Sequence, residues 1–231
     1  MFIGMLGHDL REPLNAIATA ARILWLRGED LDPQVLSTAA RIGASAERME
    51  RMIQDLLDFA RGRLGGGLPI VVTPVDARGL ITRTVSEIAQ AHPERQIACV
   101  ACEASGDFEV RWDGDRVAQA ISNLVSNAVT HGSDPIVVDA APEGGQITIT
   151  IRNRGDIPEE LLPTLFAPFN TSTERRHQTG AVHRDRRRGS LGLGLYIVRE
   201  IANAHGGSID AESGSGHTAF RLRLPRHAAM T

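Results

Sequence analysis

Asn123-Leu124-Val125-Ser126-Asn127-Ala128 lies inside a run, Asp115–Thr130, whose apolar residues recur with helical spacing. Val117, Ile121, Leu124 and Ala128 share one side, and Asn123 and Asn127, at i and i+4, share the opposite one. Asn is a poor helix former, so two of them at this spacing are not explained by propensity. A carboxamide oxygen is a neutral ligand of the kind Mg²⁺ takes alongside waters and phosphate oxygens. The plain alternative is a pair of ordinary surface asparagines.

The segments around this helix decide between those two readings. From Leu68 onward the pattern is mixed. Strand-like runs cover Ile70–Thr73, Gln96–Ala101, Phe108–Trp112, Ile136–Ala140, Gln146–Asn153, Ser208–Glu212 and Ala219–Leu224. Helix-like runs cover Ala77–Ala91, Asp115–Thr130, Glu159–Leu165 and Leu193–His205. Hairpin-type turns between strands, with helices interspersed, indicate an α+β sandwich with helices on one face of a mixed sheet. Gly189-Ser190-Leu191-Gly192-Leu193-Gly194-Leu195 opens the last helix. Glycines before a helix let backbone N–H groups approach an anion that the helix dipole favours, although without Lys the run is not a P-loop.

Upstream, the pattern is all helical. Phe2–Arg27 places Leu6, Leu10, Leu14, Ile17, Ala21 and Leu24 on one stripe. At about 100° per residue, His8 falls roughly 165° from the centre of that stripe, and so toward solvent. Pro13 lies within the run and predicts a bend near Asp9–Pro13. After a turn at Gly28–Asp32, Asp32 can cap a second helix that starts at Pro33 and runs to about Arg61. Val35, Ala39, Ile42, Ala46, Met49, Ile53, Leu56 and Ala60 form a heptad seam along it. Two antiparallel helices cannot bury both stripes alone. A homodimer forming a four-helix bundle is therefore expected, against the alternative of a hairpin packed only on its own second domain. The domain boundaries read as 1–63 for the hairpin, 64–68 for a Gly-rich linker and 69–227 for the α+β domain.

Composition narrows the function. The chain has 231 residues, enough for two modest domains, and a formal net charge of −3, which argues against a general nucleic-acid binder. All 25 basic residues are Arg, so no Lys is available for a phosphate. Aromatics make up 4%, too few for a base-stacking platform. No apolar run is long enough to insert in a membrane and no signal peptide precedes His8, so a soluble, cytoplasmic character is expected. Cys99 and Cys102 are spaced C-x-x-C, but with only His92 nearby they read as packing residues rather than a metal or redox site.

In order along the chain stand His8-Asp9-Leu10-Arg11-Glu12-Pro13-Leu14, the Asn123–Ala128 segment, Asn153-Arg154-Gly155, Phe166-Ala167-Pro168-Phe169, the Gly-Leu-Gly-Leu-Gly-type run and Gly214-Ser215-Gly216-His217-Thr218. This set resembles the transmitter region of a bacterial sensor histidine kinase over nearly the whole chain. The resemblance implies a dimerisation and phosphoacceptor hairpin followed by an ATP-binding domain of the Bergerat fold. It implies phosphoryl transfer from Mg²⁺–ATP to His8, with Asp9 as its acidic neighbour, and onward to an aspartate on a response regulator receiver domain. It makes Asn127 the Mg²⁺ ligand and sets Asn123 beside the phosphates. Asn153 would meet the adenine amino group, and Gly192 and Gly194 would line the triphosphate. The wider ATP-binding set is His131, Gly155, Phe169, Gly189, Leu191, Leu193 and Thr218. Asn170–Ser190 would be the ATP lid, whose Arg184, Arg186, Arg187 and Arg188 either reach phosphate or are simply solvated.

Four positions depart from the family pattern. Asn153 stands where Asp is common, Asp156-Ile157-Pro158 lacks a second glycine, Thr130 replaces a frequent Lys, and Glu12 replaces the Thr or Asn four residues after the histidine. A carboxylate at Glu12 repels a phosphoaspartate, so a kinase-dominant protein with weak phosphatase activity is expected. Two other classes stay open. One is a degenerate, non-catalytic dimer that binds partners through the hairpin. The other is an ATPase of the same fold, disfavoured because Asn123 cannot act as a general base.

Overall fold

Two long helices open the chain, and Asp32, Asp76 and Asp113 cap the starts of the second, third and fourth helices. The computed structural model describes residues 2–26, 31–63, 67–101, 106–170 and 191–228, with side chains left aside at 2–9 and 11. Helix α1 spans Phe2–Leu26 and keeps Pro13 inside it, and α2 spans Pro33–Arg61. Asp32 caps α2 as its spacing indicates, its carboxylate accepting the Gln34 N–H at 2.7 Å. The expected α2 seam divides into two heptad lines. Ala39 and Ala46 are buried, whereas Val35, Ile42, Met49 and Leu56, seven residues apart in turn, remain 42–48% exposed. Helix α1 divides the same way, with Leu14 and Ala21 buried and Leu10, Ile17 and Leu24 left 41–44% exposed. One line on each helix closes the hairpin and the other stays open.

The α+β domain follows as β1 (Thr73–Asp76), α3 (Ala77–Ala91), β2 (Ile97–Cys99), β3 (Glu109–Trp112), α4 (Gly114–His131), β4 (Ser133–Glu143), β5 (Gln146–Arg154), a 3₁₀ turn (Glu159–Thr164), α5 (Gly194–Ala204), β6 (Ser208–Gly214) and β7 (His217–Pro225). Five strands form one sheet in the order β2-β4-β5-β7-β6, and β1 pairs with β3 in a small second sheet. The β2–β4 pairing is parallel and the rest of the large sheet is antiparallel, which makes it mixed. Ile147, Ile149 and Ile151 of β5, with Phe220, Leu222 and Leu224 of β7, turn one face of the sheet inward. Val117, Ile121 and Leu124 of α4 and Ile197 and Ile201 of α5 meet them in the same core.

Two elements differ in kind from the sequence expectation for identifiable reasons. The run Ile70–Thr73 is not a strand. Pairing begins at Thr73, because Asp113 accepts the Val71 N–H at 2.7 Å and holds that backbone outside the ladder. The helical pattern at Glu159–Leu165 forms a 3₁₀ turn with Pro163 inside it. Leu68, assigned to the linker, is buried in the α+β core. Cys99 is half-buried against that core, and Cys102 lies outside the described residues.

His205, fully buried, joins the end of α5 to the start of α4. Its Nε2 accepts the Asp113 N–H at 3.0 Å, so the proton sits on Nδ1, which donates to the Ile201 carbonyl at 2.8 Å. Protonation would set a second N–H against the Asp113 donor. Burial, chiefly, holds the imidazole below its ordinary 6.5, against the Ile201 carbonyl and the Asp113 charge, which act in the other direction. A lowered folded-state value means the unfolded chain binds the proton first. The His205 contribution is therefore complete above about pH 6.5 and is lost as the pH falls below it, at no more than about 1.4 kcal/mol per pH unit. Denaturant midpoints at pH 7.5 and 5.0 should fall more steeply for the native chain than for His205→Gln.

Candidate functional site

The two faces of α4 are sorted by what lies behind them. Val117, Ala120, Ile121, Leu124 and Ala128 are 0–1% exposed, which leaves Asn123 and Asn127 half-buried on the far side. Asn123 Nδ2 donates to the Gly194 carbonyl at 3.3 Å, and a Cβ added to Gly194 would meet the Asn123 side chain at 3.7 Å. Asn123 thus faces the beginning of α5, and Asn127 lies one turn further along the same face of α4. Leu193 occupies the N-cap position there, buried, and no side chain caps that end. Gly192 precedes it at φ +67°, a left-handed backbone that suits glycine. An uncapped helix start opposite two carboxamides can receive an anion and the cation that accompanies it. Leu191 packs half-buried at the rim, and His131 occupies the last turn of α4. Gly189 and the arginines at 184 and 186–188 lie outside the described residues.

A second polar group closes the other end of the site. Asn153 and Thr218 face each other across β5 and β7, 6% and 4% exposed. Thr218 Oγ1 donates to the Gly155 carbonyl at 2.7 Å. It also meets Ser213 Oγ at 3.0 Å, which in turn accepts the Ile157 N–H at 2.7 Å. Asn153 Nδ2 donates to the Arg154 carbonyl at 2.8 Å. Asp156 accepts the Gly216 N–H with both oxygens, at 3.0 and 3.1 Å, while Gly155 N–H donates to the Gly216 carbonyl at 2.8 Å. The segment that departs from the expected glycine pattern is therefore stitched to the β6–β7 turn.

Phe169 stands apart from both groups. At φ +59° it is turned toward the hairpin, its ring 4.9 Å from that of Phe59 on α2, and Tyr196 of α5 meets the same ring at 5.5 Å. Beside them Asp58, 2% exposed, accepts Arg116 Nη1 at 2.7 Å and Nη2 at 3.1 Å. Gln119 Nε2 adds a third bond to Asp58 at 3.1 Å and Gln54 a fourth at 3.0 Å. With Asp58 committed to Arg116, the neighbouring Asp55 is pushed up to about 6, first by burial and then by the Asp58 charge, against a smaller opposing effect of Arg51. His8 and Asp9 lie in the first half of α1, and their side chains are outside the described residues.

With this geometry in view, the comparisons with known proteins are specific. Residues 112–228 match the family model of histidine kinase-, DNA gyrase B- and HSP90-like ATPases, and residues 1–65 match the His Kinase A (phospho-acceptor) domain. The chain belongs to the histidine kinase family. A bacteriophytochrome of Pseudomonas aeruginosa is 35% identical over 99% of this chain, and sensor histidine kinase TrcS of Mycobacterium tuberculosis is 33% identical over 97%. The chain spans 30% and 43% of those two proteins. Among solved structures, full-length ShkA in complex with AMPPNP superposes with a TM-score of 0.71 over 99% of this chain and 46% of its own, at 24% identity. The catalytic domain of histidine kinase ThkA matches 69% of the chain and 98% of its own, with a TM-score of 0.56 and 26% identity.

Several residues that shape this candidate site gave no signal in the sequence. Gly132 follows α4 at φ −94°, so it is not there for a left-handed cap. It is there for space, since a Cβ at this position would overlap the Asn153 carboxamide and lie 2.8 Å from the Ala128 carbonyl. Arg95 anchors the same corner, with Nε on Asp134 at 2.8 Å, Nη2 on the Gly132 carbonyl at 3.2 Å and Nη1 on the Val129 carbonyl. It satisfies carbonyls that the end of α4 leaves open. Neither glycine close approach nor a cap supplied from a distant loop has a local motif. Gly132→Ala should cost about 1–3 kcal/mol by overpacking, a fall in Tm of roughly 3–10 °C by calorimetry. Adding Asn153→Ala should recover part of that loss, because the overlapping atoms are removed.

Proposed function

We propose that this chain is an ATP-dependent protein-histidine kinase that phosphorylates His8 and passes the phosphoryl group to an aspartate of a response regulator receiver domain. The observation that carries the reading is the Asn123–Asn127 face of α4 set against the uncapped start of α5 at Gly194. That arrangement suits a triphosphate, with N–H groups of the helix start toward its oxygens and carboxamides on its flank. The buried Asn153–Thr218 pair, one strand apart, offers oxygen acceptors for the amino group of adenine. ThkA has been solved in complex with its response regulator TrrA, a relative of the same fold, which supports the same kind of partner here.

In this reading catalysis is positioning and charge neutralisation. Asn127 would hold Mg²⁺, which when bound neutralises the triphosphate and its leaving group. Asn123 holds the α5 start at its distance from α4, so the phosphate-facing N–H groups do not drift. Thr218 and Ser213 fix the floor of the base end through Gly155. Asp9 takes or orients the proton that His8 gives up as its ring nitrogen is phosphorylated. Arg side chains supply whatever positive charge the protein contributes, since the chain has no Lys.

The open heptad lines bear on assembly. Leu10, Ile17 and Leu24 on α1 and Val35, Ile42, Met49 and Leu56 on α2 expose large apolar side chains at seven-residue steps on both helices of one hairpin. A second copy offering the same lines buries them in a two-fold four-helix bundle.

Two measurements test the proposal. Incubation with γ-labelled ATP and Mg²⁺ should give acid-labile, base-stable label on the chain. His8→Gln should abolish the label with ATP affinity retained, and Asn127→Ala should weaken Mg²⁺-dependent binding by about tenfold or more in calorimetry. Binding of ATP with no label on the unaltered chain would favour the non-catalytic binding module instead. For the assembly, sedimentation should give a dimer at micromolar concentration, and Ile42→Glu with Met49→Glu should yield monomer, because four like charges would meet in a desolvated seam. A native chain that sediments as a monomer excludes the bundle.

A further inference from the structure

A carboxamide differs from a carboxylate in one respect that matters to a purine. A carboxylate presents oxygen whichever way it turns, whereas a carboxamide presents oxygen or N–H according to its rotation. At Asn153 the rotation is fixed. Its Nδ2 donates to the Arg154 carbonyl at 2.8 Å and lies against Gly132, where a Cβ would overlap it. Oδ1 stands on the opposite side of the carboxamide. The fixed rotation lasts only while the Gly132 backbone stays where it is.

Arg95 is what holds that backbone. Strand pairing brings it to the corner, since Ile136 N–H donates to the carbonyl of Gln96, the next residue, at 2.8 Å. From there one guanidinium reaches three successive parts of the chain. Nη1 donates to the Val129 carbonyl in the last turn of α4, Nη2 to the Gly132 carbonyl at 3.2 Å, and Nε to Asp134 at the start of β4 at 2.8 Å. The Arg95 side chain is 18% exposed, so water competes little for these bonds. The Asp134 carboxyl is held below its ordinary range, first by the hydrogen bond from Arg95, against burial and with help from the Gln96 N–H. Ser133, between Gly132 and Asp134, lies opposite Arg154 in the β4–β5 ladder. The segment that Arg95 fastens therefore runs from the end of α4, two residues past Asn127, to the strand that carries Asn153.

We propose that Arg95 is a positioning residue for base selection: by fixing the Gly132 corner it keeps the Asn153 oxygen, and not its nitrogen, turned toward the base, and so favours a 6-amino over a 6-oxo purine. The inference rests on the ATP-binding reading of the site. Without the clamp, Gly132 can move off the carboxamide and Asn153 can rotate. An inverted carboxamide sets N–H groups against the adenine amino group, and it donates to the oxygen that hypoxanthine carries in the same place. Lys cannot substitute, because one ammonium on a flexible stem does not span acceptors that a planar fork meets together.

Calorimetry on the full chain with Mg²⁺–ATP and Mg²⁺–ITP reads the selection directly. The unaltered chain should prefer ATP by about tenfold or more. Arg95→Lys should bring the two affinities to within about threefold, mainly through a weaker ATP complex. A residue that merely stabilised the domain would weaken both nucleotides alike. Asp134→Asn, which leaves Arg95 its two carbonyls, should shift the ratio the same way by less, and it carries the comparison if Arg95→Lys does not fold. In a chain that also carries Asn153→Asp, either rotation presents oxygen, so Arg95→Lys should leave the ratio as it was. A ratio unmoved by the Arg95 and Asp134 variants, or a shift that persists with Asn153→Asp, overturns the role of Arg95 while ATP binding stands. An unaltered chain that binds neither nucleotide overturns the ATP reading and this inference with it.

Discussion

The burial of one face of α4 is the constraint on which the remaining arrangement depends. Val117, Ala120, Ile121, Leu124 and Ala128 are essentially inaccessible, so the helix cannot rotate about its axis without exposing them. Val117, Ile121 and Leu124 each stabilise the domain by roughly 1.5–3 kcal/mol relative to exposure, so their burial sets the rotation of the helix. The polar residues are thereby aimed. Asn123 meets Gly194, Arg116 and Gln119 meet Asp58, and Asn127 stays on the same line. The candidate site residues lie on the side of the helix that packing does not need.

That division explains which parts of the molecule were legible in the sequence. Periodicity placed α3 at Ala77–Ala91 without error and α4 within a residue at either end, because a buried stripe leaves a regular imprint on the order of residues. The asparagine pair was legible for the opposite reason, as two poor helix formers on the exposed side of a strong helix. The α2 seam was read as one line of eight residues, whereas the structure uses two. Ala39 and Ala46 close the hairpin and the larger Val35, Ile42, Met49 and Leu56 stay open. Side-chain size carries the distinction. Small residues admit close approach of two helices, and large ones at the same period leave surface that a further helix must cover.

What could not be read was the chemistry between distant segments. Asp58 and Arg116 are separated by 58 residues, a quarter of the chain, and each alone resembles an ordinary surface charge. Arg95 caps α4 from a loop that precedes it by two strands. Gly132 looks like a helix-ending glycine and is required instead for the space that Asn153 takes. Such residues answer to a shape made elsewhere in the fold, so no window along the chain contains the reason for them.

The departures from the family pattern acquire a local logic on the same terms. Where a second glycine is absent after Gly155, Asp156 binds the Gly216 N–H through both oxygens, and Ile157 N–H bonds Ser213. The shortened segment is held by bonds to the β6–β7 hairpin, from its own Asp156 carboxylate to the Gly216 backbone and from its Ile157 N–H to the Ser213 side chain, rather than by backbone freedom. Asn153 is fixed by the Arg154 carbonyl on one side and by the bare Cα of Gly132 on the other. A neutral carboxamide in a site this buried avoids the desolvation cost that a carboxylate would carry there while still presenting an acceptor oxygen. The exchange of Asp for Asn gives up charge and keeps geometry. Thr218 is committed to Gly155 and Ser213, so the position of Asn153 beside it is set by the same bonded network.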